Sequence, residues 1–247
     1  MKLFASCDSK YLRVHAPALV ASAAYHNNSL HINVCGAGDE DRDILDDMSS
    51  KYHKISEWPH SDFTWSMSTP MIDVKDESLR RDTHWPDAER TAYACDRFLT
   101  AGIVLEHHEE DLLIIDTDCL VMQHIEPIRD DQVGLFLREP LPGVQGWETQ
   151  GTRVAAGAVF VSREAAPFLE SVAERIRKGP MKWFLDQVAL NEAYQKHMGD
   201  YRFKYFDEQF MDWEFVEGTT IWTGKGPRKY DNPTYLAKKS FFERMMR

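Results

Sequence analysis

Cysteine is scarce in this sequence, and its spacing excludes several kinds of site. Four cysteines occur among 247 residues, no two of them form a Cys-x-x-Cys pair, and three lie in apolar surroundings. Cysteines in such surroundings are usually small buried thiols rather than disulfide or metal-binding residues. We therefore expect free, buried thiols in a protein of a reducing compartment. They are Cys7, Cys35, Cys95 and Cys119.

Long hydrophobic segments are also absent. No apolar run approaches the ~20 residues that a membrane-spanning helix needs. The N-terminal segment reaches Asp8 before a signal-peptide core could form. No Gly-x-Gly-x-x-Gly motif follows the first predicted strand, which argues against a dinucleotide cofactor. The sequence therefore predicts a soluble, cytoplasmic protein without a transmembrane segment.

Positive charge is in the minority, and this excludes one large class of partner. The formal net charge is -11, whereas a general nucleic-acid surface requires a concentrated positive field. We therefore expect no nucleic-acid partner. Low-complexity segments and internal repeats are absent as well, and nothing in the composition marks a boundary between domains. The length suits one α/β domain over residues 1–247.

The predicted elements alternate between strands and helices. The first four are a strand over 2–6, a helix over 10–27, a strand over 30–34 and a helix over 40–53. A β-α-β-α opening is typical of a Rossmann-like nucleotide-binding half-sheet. The remaining elements are a helix from Pro86 to about Leu105, strands over 133–137 and 154–161, helices over 164–178 and 184–196, strands over 202–206 and 219–223, and a C-terminal helix.

Two polar segments have no regular pattern. They cover residues 56–85 and 138–153 and contain tryptophan, proline and glycine. Loops of this length in a compact domain are more often lids or binding loops than simple connections. We expect them to contact an acceptor. The other interpretation is that their tryptophans cover part of the core.

An apolar run that ends in two aspartates is the strongest feature of the sequence. Leu112–Ile115 is continuously apolar, which is typical of a strand buried on both faces of a mostly parallel sheet. Asp116 and Asp118 follow it, at the end of the strand where such sheets bind ligands. Residues two apart in an extended segment point to the same side, so we expect the two carboxylates to converge.

Two converging carboxylates predict a bound Mg²⁺ or Mn²⁺ ion. Oxygen ligands suit these cations, which usually complete their shell with water and with the phosphate oxygens of a substrate. Asp116 and Asp118 would then be the metal ligands of a site for a phosphorylated substrate. The alternative is that acidic residues cluster where a strand enters solvent.

A basic loop near the C-terminus also suits phosphate groups. Lys225, Arg228 and Lys229 lie close to Gly224 and Gly226. Preorganised cations stabilise negative charge that develops on a leaving group, and glycines let backbone amides approach a phosphate. A solvated run of charges is the other interpretation.

Several segments together resemble the nucleotide-sugar-dependent glycosyltransferases of the GT-A fold, particularly the glycogenin and lipopolysaccharide galactosyltransferase group. They keep the order of that group and span nearly the whole chain. The matching segments are Phe4–Leu12, Arg97, Asp116-Thr117-Asp118, Ala155-Ala156-Gly157, Asp186-Gln187 with Asn191, and Trp222 to Lys229 with Gly224. The resemblance implies an α/β fold with a mixed, mostly parallel sheet flanked by helices.

The resemblance also implies roles for individual residues. Nucleotide contacts would come from Ser6, Asp8, Tyr11, Arg97, Thr117, Gly224, Lys225 and Lys229. Catalytic positions beside the sugar and diphosphate would be Asp186, Gln187 and Arg97. From the residues alone, the alternative for Asp8 and Asp186 is a helix cap, and the alternative for Arg97 is a surface arginine paired with a carboxylate.

The resemblance implies a metal-dependent hexosyltransferase. A UDP-sugar, UDP-glucose or UDP-galactose, would donate the hexose to a hydroxyl acceptor on a glycan, lipid or protein, with retention of anomeric configuration. Two departures affect the site: Ile221 stands near the histidine that is the third metal ligand of the group, and Ala155 replaces an asparagine.

Two other functions fit some of the residues. In a haloacid-dehalogenase-type phosphatase, Asp116 would be the nucleophile and Asp118 the acid/base, although that motif normally follows the first strand. A nucleotide-sugar-binding protein that has lost catalysis would account for the missing histidine and for Ala155.

Overall fold

The structure is a computed structural model that describes residues 1–73, 85–138, 153–224 and 226–247. Lys225, residues 74–84 of the first predicted loop and most of the second lie outside the described residues. The helices are α1 (Ser9–Val14), α2 (Ala16–Tyr25), α3 (Asp39–Ile55), α4 (Trp85–His108), α5 (Ala166–Arg177), α6 (Leu185–His197), α7 (Arg228–Asp231) and α8 (Pro233–Met245).

Seven of the strands form one sheet. The strands are β1 (Lys2–Cys7), β2 (Leu30–Cys35), β3 (Phe63–Ser68), β4 (Leu112–Ile115), β5 (Cys119–Val121), β6 (Val133–Leu137), β7 (Val154–Val161), β8 (Phe203–Phe206), β9 (Met211–Asp212) and β10 (Ile221–Thr223). The order in the large sheet is β3-β2-β1-β4-β7-β6-β8, and a second sheet has the order β5-β10-β9.

Parallel pairing predominates among the described pairs of the large sheet. β1 with β2, β2 with β3, and β6 with β8 are parallel, whereas β6 with β7 is antiparallel. All four residues of β4 and all six of β2 are buried, as continuous apolar strands of an α/β sheet usually are. The predicted α/β fold with a mixed, mostly parallel sheet is confirmed.

The chain divides into two compact units. Unit 1 contains Met1–Thr69, Ile115–Pro127 and Asp207–Arg247, and unit 2 contains Pro70–Ile114 and Ile128–Phe206. Within unit 1, α2 packs against α3 and α8. Within unit 2, α4, α5 and α6 pack on one another, and α6 also packs on β7. A single domain over residues 1–247 stays a prediction.

Two predicted segments differ from the structure. The helix expected over 10–27 is divided at His15, because Pro17 in the first turn of α2 has no amide hydrogen for a continuous helix. The segment 56–85, expected to be irregular, contains β3, which pairs with β2. Its sequence alternates apolar and polar residues, Phe63 to Ser68, a strand pattern hidden among polar neighbours.

The other predicted elements are confirmed to within a few residues. The four cysteines are free and buried, as expected. None of the helices in the described ranges combines the length and the apolar run that a membrane span needs. At the C-terminus, Phe242 and Met246 are buried.

Candidate functional site

The two aspartates that follow β4 lie in a tight turn. The amide of Cys119 donates to the carbonyl of Asp116 at 3.0 Å, and the chain then enters β5 of the small sheet. The expectation of an extended segment with alternating side chains is therefore wrong for these residues. The turn arises because Cys119–Val121 pairs with β10. Asp116 is half-buried, and Asp118 is 8% exposed.

Asp118 forms a buried ion pair with a lysine from the C-terminal region. The Nζ atom of Lys229 donates to Oδ2 of Asp118 at 2.6 Å and to the hydroxyl oxygen of Tyr11 at 2.8 Å. Burial disfavours the ammonium, but the charge of Asp118 and these hydrogen bonds raise the pKa of Lys229 above its usual value. The lysine is therefore charged at neutral pH.

The main chain of Asp118 is held separately from its carboxylate. Its carbonyl oxygen accepts from the Tyr235 hydroxyl at 2.7 Å and from the Gly224 amide at 3.1 Å. Burial, followed by the charge of Asp118, raises the pKa of Tyr235, so the hydroxyl keeps its proton and can donate. A Cβ at Gly224 would lie 2.9 Å from the same carbonyl oxygen. The close approach therefore requires glycine.

The segment of residues 6–11, which ends β1 and begins α1 and is called the β1 loop, reaches the same place. The hydroxyl of Thr117 donates to the carbonyl oxygen of Ser6 at 3.2 Å. Asp8 caps α1, because its carboxylate accepts from the Tyr11 amide at 2.7 Å. The helix cap considered for Asp8 is therefore present, and a contact with the base stays a prediction. Three distant stretches of sequence thus meet within unit 1.

Asp41 supports this loop, and sequence reasoning missed it. Its buried carboxylate accepts from the Ser9 hydroxyl at 2.7 Å and the Gly38 amide at 2.9 Å, and it pairs with Arg13 at 2.7 Å. Burial opposes the charge, but these contacts hold the pKa of Asp41 below its usual value. Asp41 stands among other acidic residues at the start of α3, so nothing in the sequence distinguishes it from them.

His15 is a second residue that the sequence did not single out. It is 2% exposed, its Nδ1 atom has no hydrogen-bond partner, and its ring lies 4.8 Å from that of Tyr11 and 6.2 Å from that of Tyr230 between centroids. Burial lowers the pKa of His15 to about 4, and Asp118 offsets this only in part. The imidazole is therefore neutral at pH 7.

In unit 2, the predicted catalytic residues include a buried ion pair. Nη2 of Arg97 donates to Oδ2 of Asp186 at 3.0 Å, with side chains 8% and 10% exposed. The surface position considered for Arg97 is therefore wrong, since the α4 face that carries it turns inward. Asp186 lies in the first turn of α6, and the N-cap position belongs to Phe184. Burial raises the pKa of Asp186 despite the opposing charge of Arg97.

Arg138 joins this group and was missed in the sequence. Its guanidinium donates to the side-chain oxygen of Gln187. Burial lowers the pKa of Arg138, and Asp186 opposes that shift. Arg138 follows β6 directly, and a lone arginine after a strand has no distinctive spacing. Ala155 and Ile221 are buried in β7 and β10, so the two departures from the family pattern lie inside strands.

The predicted site residues therefore fall into two groups. Ser6, Asp8, Tyr11, Asp116, Thr117, Asp118, Gly224 and Lys229 belong to unit 1, and Arg97, Asp186 and Gln187 belong to unit 2. Lys225 lies outside the described residues. Within the described ranges, no three His, Cys, Asp or Glu side chains are grouped as a metal site. The predicted metal site of two carboxylates stays a prediction.

Comparisons with known proteins bear on the fold. No family model matches the sequence, and no curated protein matches it. Among solved structures, the WbbM bifunctional glycosyltransferase in its apo form matches with a TM-score of 0.56 and 12% sequence identity over 97% of this chain and 51% of that one. The chain shares the fold of a glycosyltransferase. It spans about half the length of that structure, and at this identity the likeness concerns the fold alone.

Proposed function

We propose that this chain is a metal-dependent glycosyltransferase. It would transfer a hexose from UDP-glucose or UDP-galactose to a hydroxyl group of a glycan, lipid or protein. The fold shared with a glycosyltransferase supports this function. One observation carries the proposal. Within unit 1, the β1 loop, the Asp116–Asp118 turn and the segment around Lys229 contact one another. These are the three segments that the family resemblance assigns to the nucleotide.

The carboxylates of the turn have the chemistry to hold a divalent cation. Asp118 already accepts a cationic group, the ammonium of Lys229, at 2.6 Å, so its carboxylate accommodates positive charge here. Asp116 and Asp118 would hold Mn²⁺ or Mg²⁺ through oxygen atoms. When bound, such an ion supplies Lewis-acid stabilisation of the departing diphosphate. Without a histidine near Ile221, the other ligands would be diphosphate and water oxygens.

The remaining residues of unit 1 would position the nucleotide. Asp8 and Ser6 lie at the β1 loop, where they would contact the uracil and ribose, and Tyr11 would stack on the base. Lys229 would stabilise the negative charge that develops on the β-phosphate. Tyr235 and Gly224 hold the main chain of Asp118 in place and so preorganise the turn. Thr117, which contacts the β1 loop, would do the same.

The residues predicted to contact the sugar belong to unit 2. Asp186 is the candidate for positioning the donor hexose, and Gln187 for stabilising positive charge through its amide oxygen. Arg97 and Arg138 each donate to one of these two side chains and so fix their orientation. A planar guanidinium suits this role because its donors have a fixed geometry. Retention of anomeric configuration is part of the proposal.

A UDP-release assay tests the function. Purified protein incubated with UDP-glucose or UDP-galactose and Mn²⁺ should release UDP, at least by slow hydrolysis, and chelation of the cation should stop the release. The Asp116→Asn variant is expected to lose release, whereas Asp47→Asn, on the exposed face of α3, should retain it. An intact protein that releases no UDP from either sugar contradicts the proposed reaction.

A nucleotide-sugar-binding protein without catalysis is a second candidate. The ion pair between Lys229 and Asp118 favours it, because the lysine occupies one carboxylate oxygen of Asp118 and already neutralises its charge. Calorimetry distinguishes the two candidates: UDP binding without release from either sugar in the presence of Mn²⁺ supports the binding protein.

A further inference from the structure

The ammonium group of Lys229 occupies space that a metal ion on Asp118 would need. It lies 2.6 Å from Oδ2, and the exposed fractions of the two side chains are 9% and 10%. A divalent cation bound to the same carboxylate would come within a few ångströms of the ammonium. Like charges at this separation repel strongly where water is largely excluded. The lysine and the metal ion therefore cannot both contact this oxygen.

We propose that Lys229 competes with the divalent cation for Asp118, and that a nucleotide diphosphate relieves the competition by taking the lysine. The ligand-free protein would then bind Mn²⁺ weakly, and the cation and nucleotide would enter together. The part played by the diphosphate rests on the proposed function. The competition between the lysine and the cation does not.

The side-chain chemistry suits such an exchange. Lysine is a point charge on a flexible stem with three donors, so it can change acceptors without a fixed geometry. Lys229 already divides its donors between Asp118 and the hydroxyl of Tyr11. It lies in α7, a helix of only four residues. A diphosphate would offer the ammonium new anionic acceptors.

The fold keeps Asp118 in position while its carboxylate changes partner. The Tyr235 hydroxyl and the Gly224 amide both bind the main-chain carbonyl of Asp118 rather than its side chain. Departure of Lys229 therefore leaves these two contacts intact. The turn remains formed, and only the carboxylate gains a vacant coordination position.

The competition makes a quantitative prediction about binding. If the diphosphate draws Lys229 away, UDP increases the affinity for Mn²⁺, and Mn²⁺ increases the affinity for UDP by the same factor. Couplings of this kind are typically about 5- to 150-fold. The Lys229→Met variant should bind Mn²⁺ more tightly than the unmodified chain without nucleotide, by a factor in this range. Its gain in Mn²⁺ affinity on adding UDP should be smaller than that of the unmodified chain, because diphosphate oxygens would still coordinate the ion but no lysine would have to be displaced.

The experiment is a Mn²⁺ titration followed by the electron paramagnetic resonance signal of the free ion, with and without UDP. The signal does not depend on activity, and a protein-free titration corrects for Mn²⁺ bound by UDP alone. The matched control is Lys2→Met, since Lys2 is a buried lysine of unit 1 that pairs with Asp62 at 2.8 Å. Its Mn²⁺ affinity should equal that of the unmodified chain.

A second variant tests the competition if Lys229→Met does not fold. Lys229→Gln keeps a hydrogen-bond donor beside Asp118 and Tyr11 but removes the positive charge, and it should also bind Mn²⁺ more tightly than the unmodified chain. If the folded variants bind Mn²⁺ no more tightly than the unmodified chain, the competition is refuted. If they bind it more tightly and UDP changes the affinity of no protein, the competition stands and the proposed use of UDP-sugars fails.

Discussion

Each unit contains a buried aspartate paired with one cationic side chain, but the net effect of burial and charge on the pKa values differs between the two pairs. For the Asp118–Lys229 pair of unit 1, the pKa of the lysine is raised despite burial, so attraction exceeds desolvation. For the Asp186–Arg97 pair of unit 2, the pKa of the acid is raised, so desolvation exceeds attraction. The two pairs have nearly equal exposed fractions, and Lys229 makes a second hydrogen bond, to Tyr11, that further favours its charged form.

The comparison suggests different uses for the two pairs. Lys229 has an additional acceptor in Tyr11, and a mobile ammonium can move to an incoming anion. Arg97 binds Asp186 from the middle of a long helix, and Asp186 also accepts from the amide of Gln187. We infer that the first pair exchanges partners during function and that the second is a fixed support. Four variants test this contrast.

The largest effect should follow from Asp118→Asn. The variant removes the charge of one of the two proposed metal ligands and leaves Lys229 without its anionic partner, so we expect UDP release to fall by about 10³-fold, as for loss of a strong electrostatic contact in an active site. The matched control is Asp62→Asn, which removes the carboxylate from Lys2, another buried lysine of unit 1. It should lose stability without losing release. Equal activity of the two variants would contradict a role for Asp118.

Arg97→Met should produce the largest loss of stability. It leaves the carboxylate of Asp186 buried without its main counter-charge, which typically costs about 3–5 kcal/mol in the free energy of unfolding. Urea denaturation measures the change. Adding Asp186→Asn should recover part of the loss, because the remaining group is neutral.

The control for Arg97 is an exposed ion pair of the same unit. Lys178→Met removes a lysine that pairs with Glu174, with exposed fractions of 67% and 61%, and it should change stability by less than about 1 kcal/mol. If Arg97→Met is as mild as this control, the buried pair is not the support that we infer.

The two pairs also show which features of the site could be predicted from the sequence and which could not. The buried β4 run and the two aspartates after it were predictable, because a continuous apolar segment is typical of a buried strand and the acids mark its end. The pairing of Asp118 with Lys229 was not, since it depends on how a chain segment 111 residues away packs against the turn. For the same reason the burial of His15 and the contact of Arg138 with Gln187 left no local pattern.

His15 should make the stability of the protein depend on pH. Its folded-state pKa of about 4 lies below the usual 6.5, so the unfolded chain takes up the proton first as the pH falls. Stability is therefore full above pH 6.5 and is lost towards pH 4. This difference in pKa corresponds to at most about 3.5 kcal/mol, at ~1.4 kcal/mol for each pH unit. His15→Phe should flatten this dependence in urea denaturation series, whereas His53→Phe, at an exposed position, should preserve it.

The smallest effect concerns the backbone contact that keeps Asp118 in place. In Gly224→Ala, the new Cβ would lie 2.9 Å from the Asp118 carbonyl oxygen and 3.1 Å from the Tyr235 hydroxyl, and such overpacking typically costs about 1–3 kcal/mol. Gly102→Ala in α4 is the matched control, because its Cβ would meet no atom within 4 Å, and alanine favours a helix by about 1 kcal/mol. Thermal unfolding should therefore shift in opposite directions for the two variants. Equal shifts would mean that the carbonyl contacts do not hold Asp118 in place. The turn would then not stay fixed while the carboxylate of Asp118 exchanges Lys229 for a metal ion.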